Sequence, residues 1–449
     1  MGYLFGTDGI RGVANQEPVT AEIALRLGKA VAQVFSETGR RRVLVGRDTR
    51  LSCDMLESAV VAGLTSGGMD VTLLGVVPTP AVALLTKNFG AAAGIMISAS
   101  HNSFEDNGLK VFQSDGYKCS PEIEAHLENL ILQKGMDTTS PIGFGIGRVS
   151  YFENAAGFYK LKAQDSFSFT ERLHGIKIVV DCANGAATET TPSVLRELGA
   201  EVITIHAQPD GCNINHHCGS THPEALLQAM KEHQAQIGIA HDGDADRVLL
   251  CDENHELLDG DEILAIIALD FLKQKRLQHA TVVATHMSNL GLDEALSQAG
   301  GKVVRVPIGD KHVIEEMLRG DYNLGGEQSG HIIVRDYATT GDGLVTALQI
   351  LRIMKVSHQP LSQLRKCINK YPQAQFNVNV REKPPLESIP EITQALREAE
   401  KALGNQGRVL LRYSGTEPKI RLLVEAKNAD QVSYISNHIL QPIKSVLGT

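Results

Sequence analysis

The sequence predicts an α/β protein: three successive α/β domains and a smaller α+β domain at the C-terminal end. Three observations carry that prediction. Segments of helical periodicity alternate with short β-branched runs as far as the stretch "NKYPQ". Beyond it the order becomes strand, helix, strand, strand, helix. The chain has 449 residues, whereas single cores stop growing near about 250–300 residues.

In the first domain, 1–152, "TAEIALRLGKAVAQVFSETG" has helical periodicity, and "RRVLVGRD" and "AAGIMISAS" are β-branched or apolar runs of strand length. The second, 153–254, opens with "HGIKIVVDCANGAA", a strand entering a small-residue turn, then the helix "TPSVLRELGAE". It closes with "AQIGIAHDGDADRVLLCDENHELLDG", which reads as strand, loop, strand, turn, strand. The third, 255–370, runs from the strand–turn–helix "ATVVATHMSNLGLDEALSQAG" through "NLGGEQSGHIIV" to the helix "GDGLVTALQILRIMK". The fourth, 371–449, follows a hinge at Tyr371 to Gln375. It holds strand "QFNVNV", a helix near Ser388 to Leu403, strands "GRVLLRYS" and "IRLLVEA", and a last helix. The α/β units share a plan but no sequence period. Multi-domain chains of this kind place ligands in interdomain clefts.

Composition excludes several classes. With 43% hydrophobic and 21% charged residues and no biased tract, the chain reads as globular and soluble. A net charge of -9 argues against a nucleic-acid partner, because backbone phosphates select basic surfaces; it leaves room for a local basic pocket. The cysteines are Cys53, Cys119, Cys182, Cys212, Cys218, Cys251 and Cys367. None has CxxC spacing, so neither a zinc knuckle nor a redox pair is suggested, and scattered thiols fit the cytoplasm. "MGYLFGTDGIRG" lacks the pattern of a signal peptide. No apolar run of membrane-spanning length occurs, so no membrane partner is expected.

The segment "IAHDGDADRVLL" holds Asp242, Asp244 and Asp246 between two apolar runs. Carboxylates so spaced repel by about 4 kcal/mol per pair at about 4 Å and an effective dielectric near 20. Something positive belongs among them. An EF-hand calcium loop competes, since Glu253 stands twelfth from Asp242. However, Arg247 occupies the sixth position, where that loop needs glycine, and the flanks read as strands. A solvated acidic turn is the plainer reading. Alternate residues of a near-extended loop share a side, and three carboxylates with open positions suit Mg²⁺.

Four further stretches carry candidates. In "GIMISASHNSFEDNGLKVF", Ser100, His101 and Asn102 lie beyond the end of a strand, where ligands of α/β sheets bind; a serine-rich turn is the alternative. No G-x-S-x-G elbow is present. Lys110 follows on the next strand, where a lysine is ordinarily a surface charge. "LLRYSGTEPKIRLL" places Ser414, Gly415 and Thr416 between two strands as an anion nest. Arg412 and Arg421 flank it with phosphate-matching forks; a plain hairpin is the alternative. "GGEQSGH" sets Glu327 and Ser329 between glycines, and "GTDGIRG" puts Arg11 near the first strand.

Together, and in this order, these motifs resemble the α-D-phosphohexomutase superfamily from "FGTDGIRG" to "RYSGTEPKIR". The resemblance implies three α/β sandwich domains with mixed sheets plus a TATA-box-binding-protein-like α+β domain around a central cleft. It implies an isomerase in which Ser100 is phosphorylated and one Mg²⁺ per chain is held by Asp242, Asp244, Asp246 and Ser100. Lys110 is then the candidate acid or base, with His331, Arg247 and Arg11 in support and His101 orienting the serine loop. Glu327 and Ser329 contact sugar hydroxyls, while Arg412, Ser414, Gly415, Thr416 and Arg421 bind the distal phosphate. "GEQSGH" and "FGTDGIRG" favour the branch acting on glucosamine phosphates, and a homodimer is expected from the resemblance alone. In one departure, Ser103 stands where the serine loop commonly has proline, so a looser loop is expected there.

Overall fold

The computed structural model of the protein describes residues 4–6, 8–36, 39–133, 140–167, 171–404, 406–414 and 418–448. Residues divide into two compact units: 1–288 with 299–367, and 289–298 with 368–449.

The first unit contains three mixed sheets. Strands β1 (Phe5–Gly6), β2 (Gly9–Val13), β3 (Arg42–Arg47), β4 (Asp70–Val76), β5 (Ala93–Ile97), β6 (Asp106–Gln113) and β7 (Val149–Tyr151) form one sheet, ordered β1-β2-β6-β5-β3-β4-β7. The second comprises β8 (Lys177–Asp181), β9 (Glu201–Ile205), β10 (Ile237–His241), β11 (Val248–Cys251) and β12 (Leu257–Leu258), ordered β12-β11-β10-β8-β9. The third comprises β13 (Thr281–Thr285), β14 (Lys302–Val306), β15 (Leu324–Gly326) and β16 (Ile332–Val334), ordered β14-β13-β15-β16. The α/β expectation is met, and the reason is visible in burial. Strands β5, β10, β13 and β15 are buried along their whole length, as strands covered on both faces must be. The helix Ala21–Ser36 buries Ala24, Leu27, Val31 and Phe35, a stripe at helical spacing.

One arrangement recurs in all three sheets. A strand parallel to one neighbour is followed by a loop and an antiparallel return: β5 to β6, β10 to β11, and β15 to β16. These loops carry Ser100, the aspartates, and Glu327 to His331.

In the second unit, β17 (Gln373–Asn379), β18 (Gly407–Tyr413) and β19 (Lys419–Ala426) form an antiparallel sheet ordered β17-β19-β18. Helices Pro390–Leu403 and Ala429–Val446 bury Ile392, Ala399, Ile435 and Ile439 in one core with Leu422 and Val424 of β19. The helix Leu290–Gln298 belongs to this unit too. Its Leu290 N–H donates to buried Glu425 at 2.7 Å, and Asn289 exchanges hydrogen bonds with the Tyr371 backbone at 3.0 and 2.9 Å.

Candidate active site

The chain leaves β5 and turns at Ser100, whose φ of 54° lies in the left-handed region. A non-glycine residue there costs about 1–2 kcal/mol and persists where its surroundings over-determine it. Arg50 does this. Its fully buried guanidinium pairs with Asp48 at 2.9 Å and donates to the carbonyls of Ser100 and Asn102, each at 2.9 Å. It also reaches the carbonyls of Asp106, at 3.1 Å, and Ser103. Asn215 donates to the Ser100 and Asn102 carbonyls as well, at 2.9 Å each. Thus the position of the usual proline is held by a side chain gripping the Ser103 carbonyl, and the expected looseness is countered there.

Ser100 Oγ donates to Asp242 Oδ2 at 2.5 Å. Gly243 makes that approach feasible, because a Cβ there would sit 2.7 Å from the Ser100 carbonyl oxygen. Asp242, Asp244 and Asp246 each offer a carboxylate oxygen, all within 4.8 Å of one another. All three are buried. Burial, then Asp246 and Asp244, push the Asp242 carboxyl well above its ordinary range.

The positive charge among them is Lys110, only 1% exposed, where a surface lysine was the default reading. Its ammonium lies 2.8 Å from Asp244 Oδ2, 3.1 Å from Asp8 and 3.5 Å from Asp246 Oδ2. Burial opposes its charge, yet Asp244, Asp8 and Asp246 outweigh that and raise its pKa. Against the same cost of burial, Lys110 and His331 hold Asp246 well below the usual carboxylate range. With the Oδ2 oxygens so engaged, the buried Asp244 Oδ1 and Asp246 Oδ1 make no hydrogen bond. Unsatisfied carboxylate oxygens converging beside Asp242 fit a divalent cation, since such groups are costly when left alone.

Further charged groups surround the cluster. Arg11, on β2, pairs with Asp8 and donates to the Ala99 carbonyl at 3.3 Å. Lys118 bridges Asp8 and Asp310. Burial opposes ionisation of Asp8, but Arg11, Lys110 and Lys118 hold its carboxyl well below the ordinary value. Arg247 lies 3.8 Å from Asp246 Oδ1, and against burial its pKa is raised by Asp246, Asp242 and Glu327. His331 Nδ1 lies 3.5 Å from Asp246, while Nε2 accepts the Gly341 N–H at 3.1 Å. Burial opposes its charge, but Asp246 and then Asp310 raise its pKa. Burial, then Arg247 and Arg11, lower the His101 pKa to about 4, so its ring is neutral near pH 7; its buried Nδ1 makes no hydrogen bond. Glu327 accepts the Gly309 N–H at 3.0 Å, and Ser329 is exposed.

In the second unit, the β18–β19 hairpin sets Arg412 and Arg421 opposite each other in register. Burial and then Arg421 lower the Arg412 pKa. Lys383 Nζ donates to the Ser414 carbonyl at 2.7 Å, adding a third cation. Gly415 and Thr416 lie outside the described residues. Like charges directly opposed destabilise a sheet.

Four successive stretches match phosphoglucomutase/phosphomannomutase domains: alpha/beta/alpha domain I over residues 2–137, domain II over 151–256, domain III over 259–371 and the C-terminal domain over 376–441. The chain belongs to the phosphoglucomutase/phosphomannomutase family. It is 49% identical over 450 residues to a phosphoglucosamine mutase of Pelobacter propionicus, covering 100% of this chain and 99% of that one. It is 49% identical over 449 residues to that of Geobacter metallireducens, covering all of both. In fold it resembles a phosphoglucomutase/phosphomannomutase family protein of Burkholderia thailandensis, with a TM-score of 0.82 at 24% identity over 99% of both chains. An N-acetylphosphoglucosamine mutase of Aspergillus fumigatus gives a TM-score of 0.69 at 18% identity, over 100% of this chain and 96% of that one. Membership makes the protein an isomerase that relocates a phosphoryl group.

Within this phosphohexomutase framework, the first unit brings together Ser100, the aspartates, Lys110, Arg11, Arg247, His101 and His331. The sequence reading missed Asp8, Asp48, Arg50, Thr79, Lys118, Asn215 and Asp310. Thr79 Oγ1 donates to Asp244 at 2.5 Å. A signal existed for two groups: "GTDGIRG" contains Asp8 beside Arg11, and "GRDTR" pairs Asp48 with Arg50 at a strand end. Nothing local distinguishes Lys118 or Asp310.

Proposed function

We propose that the protein interconverts glucosamine 6-phosphate and glucosamine 1-phosphate through phospho-Ser100 and a 1,6-bisphosphate, supplying UDP-N-acetylglucosamine for cell-wall synthesis. The carrying observation is Ser100 Oγ, 2.5 Å from Asp242 inside a carboxylate cluster that already holds a buried ammonium. The names of the relatives support the amino-sugar substrate.

In this reading phospho-Ser100 yields its phosphoryl group to the free hydroxyl of the sugar phosphate, and the bisphosphate then turns so that its other phosphate meets the same serine. A phosphoserine adds about -1.5 to -2 charge, which the cluster cannot accept without more cation. Asp242, Asp244 and Asp246, with a phosphoserine oxygen, would hold Mg²⁺, which supplies charge neutralisation for phosphoryl transfer. Lys110, kept protonated by its carboxylates, gives a proton to the departing Ser100 oxygen and regains one from the attacking sugar hydroxyl, so its charge is restored by the end of the transfer. Arg11 and Arg247 face the same space and hold phosphoryl oxygens. His101, neutral and between those arginines, shapes the loop. Arg50 and Asn215 keep the serine carbonyl turned away so that Oγ faces the aspartates. Glu327 and Ser329 contact sugar hydroxyls. Arg412, Arg421, Ser414, Gly415 and Thr416 take the distal phosphate in either orientation, since a nest with two forks suits both.

We also propose the four-domain division at 152, 254 and 370, a cytoplasmic location, and a homodimer. Ile142, Phe144 and Tyr151 are exposed apolar side chains that a second copy could cover.

The test is a coupled assay with Mg²⁺ and a trace of sugar 1,6-bisphosphate, comparing glucosamine 6-phosphate with glucose and mannose 6-phosphates. A kcat/KM preference for the amino sugar supports this reading. Preference for a neutral hexose moves the chain to a sister branch, and no turnover of any favours a sugar-phosphate binding protein.

A further inference from the structure

Outside the serine site, one cluster combines three chemically different metal ligands. Asp181 ends β8 and His206 directly follows β9, and these parallel strands pair in register up to Asp181 opposite Ile205. Both side chains therefore emerge at the same carboxyl edge. Cys218 arrives from the segment "GCNINHHCGSTH". One ligand atom of each residue lies within 4.8 Å of the other two. We propose that Asp181, His206 and Cys218 form a second metal site, selective for a thiolate-binding ion of the Zn²⁺ class.

Asp181 is oriented before any ion arrives. Its Oδ1 accepts the Ala183 N–H and its Oδ2 the Gly219 N–H, each at 2.9 Å. Metal-ligating carboxylates are typically held this way by outer donors, and the second Oδ2 lone pair is turned toward His206. Gly219 (φ +70°) is needed for that approach, since a Cβ there would lie 2.4 Å from the His241 carbonyl oxygen. His206 Nδ1 stands 3.1 Å from Asp181 Oδ2, yet this buried nitrogen makes no hydrogen bond. The Asp181 carboxylate raises the His206 pKa, so an ion entering between the two displaces the imidazole proton as well as that of the thiol. The His206 side chain is 30% exposed, which leaves a path from solvent.

Cys218 is fully buried, and burial followed by Asp181 pushes its thiol up to about 12. A free thiolate is therefore disfavoured here, but a divalent ion reverses that balance, because a coordinating thiol is deprotonated outright. Binding breaks the Cys218 S–H bond, forms a sulfur–metal bond and releases the proton to solvent. One sulfur, one nitrogen and one oxygen exclude Mg²⁺, which prefers oxygen, and match a tetrahedral ion with a fourth position for water.

The ion would brace the turn bearing the catalytic aspartates. The Ala186 N–H donates to the Gly243 carbonyl at 2.8 Å, and Gly219 lies against His241. An ordinary Asp181–His206 ion pair, the competing account, gives Cys218 no part.

The test uses Co²⁺ on the full chain with excess Mg²⁺ to occupy the carboxylate cluster. The expected result is a thiolate-to-Co²⁺ charge-transfer band in the near ultraviolet that saturates at one equivalent and is bleached by Zn²⁺. Cys218→Ser should abolish the band, while Cys182→Ser and Asp242→Asn keep it. His206→Ala, at a partly exposed position, should weaken Co²⁺ binding at least about 10- to 100-fold, the range already seen for outer-shell changes. It decides the matter if Cys218→Ser fails to fold. A missing band, one that survives Cys218→Ser, or unchanged affinity in His206→Ala overturns the proposal.

Discussion

The Ser100 loop and the Arg412–Arg421 hairpin both connect antiparallel strands, yet they solve opposite problems. Around Ser100 every cation faces a carboxylate, the groups are buried or half-buried, and the backbone is clamped from Arg50 and Asn215. In the β18–β19 hairpin two arginines oppose one another in register, with Lys383 nearby, and Arg412 is exposed. A reacting group gains from preorganisation, because misplacement by about 1 Å can cost about 10²-fold in rate. A site proposed to accept phosphate in two orientations gains from accumulated positive charge with modest directional demand. On that proposal the difference separates chemistry from recognition, and the following substitutions probe it from the strongest expected effect to the weakest.

Ser100→Ala should lower kcat by about 10⁴-fold or more, the scale of removing a nucleophile, while sugar-phosphate binding by calorimetry persists. Near-normal turnover would remove Ser100 from its role. Arg50→Ala leaves Asp48 buried without its partner and should cost about 3–5 kcal/mol in urea unfolding of the first unit. A loss under about 1 kcal/mol would mean that the serine loop is held by something else.

Asp342 supplies a pH probe. It caps the helix Gly343–Ser357 through the Val345 N–H at 2.9 Å and accepts from Tyr159 at 2.8 Å. Burial, aided by Asp246, raises its pKa to about 6. The folded state therefore binds this proton more tightly than the unfolded chain, and the associated stability is lost as pH rises from about 4 through 6. Two pKa units correspond to about 3 kcal/mol. The stability of the wild type relative to Asp342→Asn should fall by about that amount between pH 4 and 7. A pH-independent difference would exclude a raised pKa.

Arg412→Ala should be milder in its effect on chemistry. Losing one charged hydrogen-bonding fork costs about 1.5–3 kcal/mol, which corresponds to roughly a 10- to 100-fold rise in KM, with kcat little changed. An equal fall in kcat would place Arg412 in the transition state and erase the distinction between the two hairpins.

Legibility followed locality. The strand–loop–strand around Asp242 was readable because alternation and β-branching act within a few residues, and the structure returns β10, loop and β11 in place. The same holds for "GRVLLRYS" and "IRLLVEA", whose pairing as β18 and β19 follows from a short connection. Lys110 was the instructive failure of default expectation. Its position on β6 was readable, but its partners were not: Asp8 arrives from the β1–β2 turn beside β6, and Asp244 from the β10–β11 loop of another sheet. Arg50 was invisible as a clamp for a similar reason: its carbonyl partners lie about fifty residues away in sequence.

The sequence by itself determined the alternation of elements, the change of pattern after "NKYPQ", and which short loops hold the candidate residues. Those properties depend on periodicity, turn residues and spacing along the chain. Tertiary structure alone decided which charges meet: Lys110 against Asp8, Asp244 and Asp246, Lys118 between Asp8 and Asp310, and Cys218 beside Asp181 and His206. Coulomb energy and desolvation depend on distance and burial. Neither quantity exists until strands distant in sequence lie side by side.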